Sequence, residues 1–184
     1  MGFSRSKSLA FLGAAFTATA LLSSTAALAA GTSPSTTAAA RSARLEAELS
    51  AKMAAQLRFN PSGRAISPNQ VSYDHGKVVV TLSVPGATPD FTCPTGDICL
   101  FDEDNLTGDN AAINAPVGSP INIRAFLPIV ASLHNLRDKG TVIQKKMKNS
   151  SPNAQCYVSG QRANSVSQPV ASWGWLYLEK NDNC

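Results

Sequence analysis

The sequence predicts an all-β fold, a sandwich or Greek-key barrel, that follows a single N-terminal helix. From Ser67 onward, apolar residues alternate with polar ones over several short stretches. Clusters of Gly, Pro, Asn and Ser separate these stretches and indicate turns. Only Arg41–Arg58 has a helical period. Many short strands at such spacing are typical of an all-β architecture.

The N-terminus has the features of a secretory signal peptide, residues 1–29. Arg5 and Lys7 form a basic region, Leu9–Leu22 is apolar apart from two threonines, and Ala27–Ala29 offers small residues for cleavage. A membrane anchor is the alternative interpretation, but the apolar run is shorter than the roughly 20 residues that span a bilayer. We therefore expect a secreted, extracellular protein with no membrane partner after cleavage.

The charge of the mature chain is close to neutral. Loss of Arg5 and Lys7 reduces the 16 basic residues to 14, against 12 acidic residues. This balance gives no reason to expect nucleic acid as a partner. The remaining length is enough for one domain with a core, which we expect to be a monomer.

After a predicted disordered leader, residues 30–40, the pattern predicts an amphipathic helix at residues 41–58 and a β-domain at residues 60–184. Apolar residues recur at every fourth position of the helix, and Asn60–Gly63 ends it. Two interpretations remain open. We favour a helix that packs on the sheet or forms a stalk between the leader and the domain; the alternative is a helix that binds a partner or a membrane surface. The recurring positions are Leu45, Leu49, Met53 and Leu57.

The strand predictions begin with a hairpin. Val71–Tyr73 leads into a tight turn at Asp74–Gly76, and alternating residues follow from Val78 to Val84. Short apolar segments further along the chain predict the remaining strands. These are Ile121–Arg124, Val130–Leu133, Thr141–Gln144, Cys156–Val158 and Trp173–Glu179, the last with Leu176 and Leu178 on one face.

Export makes disulfides the expected state of the four cysteines. Three pairings are available, and we favour Cys93–Cys99, because its loop is short, together with Cys156–Cys184. Each bond would add about 2–4 kcal/mol of stability. A zinc site is the alternative, but the chain has no CxxC motif and its two histidines are distant from the cysteines in sequence.

The segment that starts at Cys93 carries a family resemblance. Cys93-Pro94-x-Gly96-x-x-Cys99-Leu100-Phe101, followed by Asn105-Leu106-x-Gly108, resembles secreted microbial peptidase inhibitors with a βγ-crystallin-like fold, grouped as peptidase inhibitor family thirty-six. The Greek-key signature of that fold is an aromatic residue, four residues, a second aromatic, one residue and a glycine. Phe101, Leu106 and Gly108 occupy these positions, with leucine in place of the second aromatic.

The resemblance implies a βγ-crystallin-like Greek-key sandwich and an extracellular protease as partner. Its implied inhibitory loop is a rigid ring closed by a disulfide, in which Ile98 or Leu100 would fill a hydrophobic protease pocket. The alternative is a structural staple with these two side chains in the core. The candidate residues are Cys93, Pro94, Asp97, Ile98, Cys99 and Leu100.

The acidic turn after the ring is a weak candidate for a calcium site. Asp102, Asp104 and Asp109 offer hard oxygen ligands, but their spacing does not match an EF-hand loop. Leu127-Pro128 also stands where relatives of crystallin type carry Asp or Asn. We therefore expect no cofactor and favour a solvated turn over calcium.

Motifs for catalysis are missing from the sequence. It contains neither G-x-S-x-G nor H-E-x-x-H, and His75 and His134 lie in turn-like contexts. We expect no enzyme and no catalytic residue. The rival to inhibition is a non-inhibitory structural or surface-binding module, for which a basic run could bind a polyanion. That run comprises Arg137, Lys139, Lys145, Lys146 and Lys148.

Overall fold

The computed structural model describes residues 34–84, 91–118, 120–138, 142–145, 155–166 and 174–180. The predicted signal peptide lies outside these residues, as do Lys139, Lys146 and Lys148 of the basic run. Within the described segments, no helix has the length and apolar character needed to cross a membrane.

The N-terminal helix, α1, spans Pro34–Phe59. It begins before the predicted start at Arg41, so residues 34–40, which composition assigned to a disordered leader, are helical. Proline is well suited to the first turn of a helix, and Ala38–Ala40 has high helix propensity. The helix ends before Pro61, where the side chain of Asn60 accepts a hydrogen bond from the amide of Ser62.

The second half of α1 packs on the β-domain. Leu49, Met53 and Leu57 are partly buried against the main core, as expected for a helix packed on the sheet. Residues 38–44 are exposed. The apolar contact of α1 with the core therefore includes three of the four residues of the predicted stripe.

The rest of the described chain is mostly β-structure, in agreement with the predicted all-β class. Eleven short strands are present in the described residues. They are β1 (Arg64–Ser67), β2 (Gln70–Tyr73), β3 (Val78–Thr81), β4 (Ile98–Phe101), β5 (Asn110–Ile113), β6 (Pro120–Asn122), β7 (Ser132–Asn135), β8 (Val142–Lys145), β9 (Gln155–Tyr157), β10 (Arg162–Ala163) and β11 (Trp175–Leu178).

These strands form two antiparallel sheets. The large sheet has the order β1-β2-β3-β5-β4-β7-β10, and the small sheet has the order β6-β11-β8-β9. The main core contains residues of both, including Ile98, Leu100 and Leu133 from the large sheet and Leu176 and Leu178 from the small one. The core therefore lies between the sheets, and the prediction that Leu176 and Leu178 share a buried face is confirmed.

The predicted hairpin is present as β2 and β3, which pair in the register Gln70↔Thr81 to Tyr73↔Val78. Its turn places Asp74 and His75 at positive φ, 48° and 57°, and Gly76 follows at 90°. Asp, His and Gly tolerate this region better than most residues do. The local sequence therefore favours this turn.

Three strands were not predicted, and several predicted strands have different bounds, among them Val78–Val84, which ends at Thr81. β1 has little buried surface, β5 is half alanine, and β10 has two residues, so none carries a clear alternation. The predicted strand Ile121–Arg124 ends at Asn122, because a 3-10 turn covers Ile123–Ala125.

Candidate functional site

The predicted ring is present. Cys93 and Cys99 form a disulfide with their Cα atoms 5.8 Å apart, which confirms this pairing. Cys156 is also disulfide-bonded, but its predicted partner, Cys184, lies outside the described residues. The ring joins the segment before β4 to the interior of that strand.

Only one side of the ring is open to solvent. Pro94 and Thr95 are exposed and Gly96 is half-buried, whereas Asp97 is 8% exposed. Ile98 and Leu100 are both 0% exposed. In this fold neither side chain can enter a protease pocket, so the expectation that one of them does so is corrected in favour of the core alternative.

The reason for this burial is that β4 is covered on both faces. Ile98 and Leu100 point into the main core, while Cys99 and Phe101 belong to a second apolar cluster on the opposite face. Phe91 packs edge-to-face on Phe101, with ring centroids 5.8 Å apart. A strand that is covered by apolar layers on both faces has a continuous apolar sequence. Such a sequence does not indicate which of its side chains, if any, are exposed.

Main-chain hydrogen bonds hold the ring on the segment that follows β7. The amide of Gly96 donates to the carbonyl of Leu136 at 2.8 Å, and the amide of Leu136 donates to the carbonyl of Asp97 at 2.9 Å. A turn inside the ring adds a bond from the amide of Asp97 to the carbonyl of Pro94 at 3.2 Å. The ring is therefore fixed by its disulfide and by the neighbouring chain.

The side chain of Asp97 braces the ring from inside. Burial raises its pKa, which a hydrogen bond with Asn114 and the charge of Arg137 oppose. Arg137 donates from Nη1 to the carbonyl of Ala115 at 3.3 Å, and its buried Nε has no hydrogen-bond partner among the described residues. Asp97 is thus a support of the ring and leaves Pro94 and Thr95 as its exposed residues.

The three residues of the Greek-key signature lie in a tightly folded connection between β4 and β5. Phe101 ends β4 and is buried, and Leu106 packs against the same outer cluster. Asn105 and Leu106 have φ of 61° and 62°, and Gly108 has φ of 83°. A Cβ at Gly108 would clash with Oδ1 of Asp102, so glycine is required there by space as well as by φ.

Ser132 on β7 holds this connection in place. Its hydroxyl donates to the carbonyl of Glu103 at 2.6 Å and accepts from the amide of Leu106 at 2.9 Å. The amide of Asn105 also donates to the carbonyl of Asn164 at 2.7 Å. These bonds satisfy main-chain groups of the folded turn and offset the strain of its left-handed residues.

The acidic residues of the turn have different surroundings. Asp104 is exposed. Oδ1 of Asp109 accepts hydrogen bonds from Nζ of Lys52 at 2.8 Å, from the amide of Ser83 at 2.7 Å and from the hydroxyl of Ser83 at 2.9 Å. Nζ of Lys52 also donates to the carbonyl of Ser83 at 2.6 Å. Asp109 therefore connects α1, the chain after β3 and the start of β5.

Asp102 is the carboxyl group with the most unusual environment in this turn. Burial, together with the negative charge of Asp109, raises its pKa from 3.8 to about 6. The Oδ1 atom is buried and has no hydrogen-bond partner among the described residues. No group of three or more His, Cys, Asp or Glu side chains in the described part of the chain is arranged to hold a metal ion. The calcium hypothesis for Asp102, Asp104 and Asp109 stays a prediction.

Two supporting residues were not identified as such from the sequence. Lys52 lies within the predicted helix, where it was assigned no role, and Arg137 was considered only as part of the basic run. Their partners, Asp109 and Asp97, are distant along the chain, so no local spacing rule could have found them. Comparisons with protein-family models, curated proteins and solved structures found no significant match for this chain.

Proposed function

We propose that the chain is a secreted peptidase inhibitor of βγ-crystallin-like type, and that the exposed arc of its ring, Pro94–Gly96, contacts an extracellular protease. The observation that carries the proposal is a short loop that is fixed at both ends and still open to solvent. Such a loop loses little conformational entropy when it binds, so more of its contact energy appears as affinity.

The order of the strands supports the Greek-key part of the proposal. In the large sheet β7 returns beside β4, in the order β5-β4-β7, while the intervening strand β6 lies in the small sheet. The next four strands repeat this arrangement: the small sheet has the order β9-β8-β11, and β10 lies in the large sheet. Return of a fourth strand to lie beside the first is the defining connection of a Greek key. This strand order supports the proposal of two interleaved keys.

The contact residues in this proposal differ from those first expected. Ile98 and Leu100 anchor the ring in the core, and Asp97 braces it, so the contact falls to Pro94 and Thr95. Both are uncharged, and their side chains do not pack in either core cluster. The proposed target is therefore a protease that accepts small uncharged side chains at the point of contact.

A non-inhibitory structural module is the second candidate. The observation that favours it is the burial of every large apolar side chain of the ring, because a disulfide over a buried strand also serves as a staple. Arg137, a member of the basic run, is half-buried, and its charge acts on Asp97.

A protease panel on the secreted, disulfide-bonded chain separates these candidates. Metallo- and serine proteases of extracellular origin would be assayed with the wild type, with Thr95→Arg and with Asn122→Arg. Thr95 is exposed on the ring and Asn122 is exposed on β6 of the small sheet, so the two variants add the same bulk and charge at different sites. Inhibition that Thr95→Arg alone weakens supports the proposal.

Two results would sink the proposal. One is a panel in which no protease is inhibited by the correctly oxidised chain. The other is inhibition that both variants retain in full, because the contact would then lie elsewhere on the molecule.

A further inference from the structure

A second surface feature, a cleft of about 910 Å³, lies far along the sheet from β4, where α1, β1, the β2–β3 turn and the 3-10 turn after β6 meet. No residue of the ring lines it. Its volume is within the range of about 300–1,000 Å³ that ligand pockets occupy. The residues that line the cleft include Asn60, Arg64, Ser72, Tyr73, His75 and Phe126.

The walls of the cleft are held together by long-range contacts. Nδ2 of Asn60 donates to the carbonyl of Ala125 at 2.9 Å, and Nε2 of Gln56 donates to the hydroxyl of Tyr73 at 3.1 Å and to the carbonyl of Phe126 at 3.0 Å. The rings of Tyr73 and Phe126 meet edge-to-face with centroids 5.2 Å apart. The cleft therefore exists before any ligand enters.

Arg64 is the basic residue of the cleft lining. Arg64 is exposed and forms no salt bridge within the described part of the chain. Asp74 is the acidic residue of the lining, and it lies 3.5 Å from Nζ of Lys77, which offsets its charge. His75 adds an exposed imidazole, fixed at the centre of the left-handed turn. An anionic group is the complement of this set of side chains.

We propose that the cleft binds the carboxylate of a small apolar acid, with Arg64 as the main carboxylate partner and Phe126 as the apolar contact. A planar guanidinium can bind a carboxylate through two parallel hydrogen bonds. The hydroxyl of Ser72, paired with Arg64 across β1 and β2, and the imidazole of His75 supply further polar contacts. This binding site does not depend on the inhibitory role of the ring.

The carboxylate can belong to a free acid or to the C-terminus of an apolar peptide, and two probes distinguish these sources. The first is N-acetylphenylalanine, compared with its amide. The second is an acetylated tripeptide that ends in phenylalanine, also with a free or an amidated C-terminus. Binding is followed by two-dimensional amide NMR of the full mature chain, with Ser72 and Gly76 as reporters.

We expect both acids, and neither amide, to shift the reporter amides. Arg64→Gln should weaken binding by about tenfold or more, since it removes hydrogen bonds between two charged groups, which are stronger than neutral ones. The matched control is Arg162→Gln, because Arg162 is likewise exposed on an edge strand, β10, at the opposite side of the same sheet. Tighter binding of the tripeptide acid would identify a peptide C-terminus, and equal binding a free acid.

Three results would overturn the proposal: no shift of the reporters with any probe, equal binding of acid and amide, or equal affinity of Arg64→Gln and the wild type. All variants change exposed side chains, so a folded spectrum is expected throughout. If a variant keeps a dispersed spectrum but does not bind, its loss of binding is caused by the changed side chain and not by unfolding.

Discussion

At the scale of single residues, the connection between β4 and β5 depends on the specific side chains, or the lack of one, at Asp102, Gly108 and Ser132. Gly108 sits at positive φ directly against Oδ1 of Asp102. Asp102 itself is half-buried, and its buried Oδ1 atom has no hydrogen-bond partner among the described residues. The hydroxyl of Ser132 then joins two main-chain groups of the turn. Each of these features makes a separate contribution to stability.

Substitution of Gly108 tests the need for space. Ala at Gly118, which has φ of 84° and nothing within 4 Å of the added Cβ, should cost about 1 kcal/mol through its backbone alone. Ala at Gly108, with φ of 83°, carries the same backbone cost and adds the clash with Asp102. We expect the loss of unfolding free energy at Gly108 to be roughly twice that at Gly118 or more, measured by urea denaturation. Equal losses would mean that the turn relaxes freely.

The carboxyl of Asp102 predicts a dependence of stability on pH. Its pKa is raised from 3.8 in the unfolded chain to about 6 in the fold, so the folded state binds a proton more readily. The destabilising contribution is therefore present above about pH 6 and is relieved as the pH falls towards about 4. Asp102→Asn removes the charge and should melt at a higher temperature than the wild type at neutral pH.

The difference in melting temperature between Asp102→Asn and the wild type should shrink as the pH is lowered through 6. Asp104→Asn serves as the control, because Asp104 is exposed in the same turn. A difference that is constant between neutral and acidic pH would contradict the assigned cause, since a charge-independent effect does not titrate.

At the scale of elements, α1 and the strands are joined by polar contacts as well as by apolar packing. Lys52 contacts Ser83 after β3 and Asp109 directly before β5. Gln56 contacts Tyr73 on β2 and the carbonyl of Phe126. The helix thus contacts several segments that are distant from one another in sequence. Its stripe of leucine and methionine sets the packed face, and these polar contacts fix its position along the sheet.

Removal of the Lys52 ammonium tests this role. The side chains of Lys52 and Asp109 are 32% and 19% exposed, whereas those of the Lys77–Asp74 pair are 44% and 59% exposed. We expect Lys52→Met to lower the unfolding free energy by about 1 kcal/mol and Lys77→Met by less than about 0.5 kcal/mol, since exposed pairs contribute little. Chemical denaturation of both variants measures the two losses. Equal losses would show that the Lys52 contact does not help to fix α1.

At the scale of the whole molecule, the two sheets share one core. Strands β4–β7 and β8–β11 form two groups of four, and the third strand of each group lies in the sheet of the other group. β6 completes the small sheet, and β10 completes the large one. Neither group of four strands is therefore self-sufficient, because each sheet lacks an edge strand without the other group. The N-terminal strands β1–β3 extend the large sheet by pairing β3 with β5. This extension places the cleft at one side of the large sheet and leaves the ring on β4.

The sequence by itself determined the all-β class, the β2–β3 hairpin, the packed stripe of α1 and the Cys93–Cys99 bond. Each of these depends on a local pattern: a period of two or four, a turn tripeptide, or a short distance between two cysteines. Only the tertiary structure decided the exposure of the ring and the partners of Asp97, Asp102 and Asp109. The physical reason is that β4 is covered on both faces, and the charges that matter, Lys52 and Arg137, come from segments that only the fold brings near.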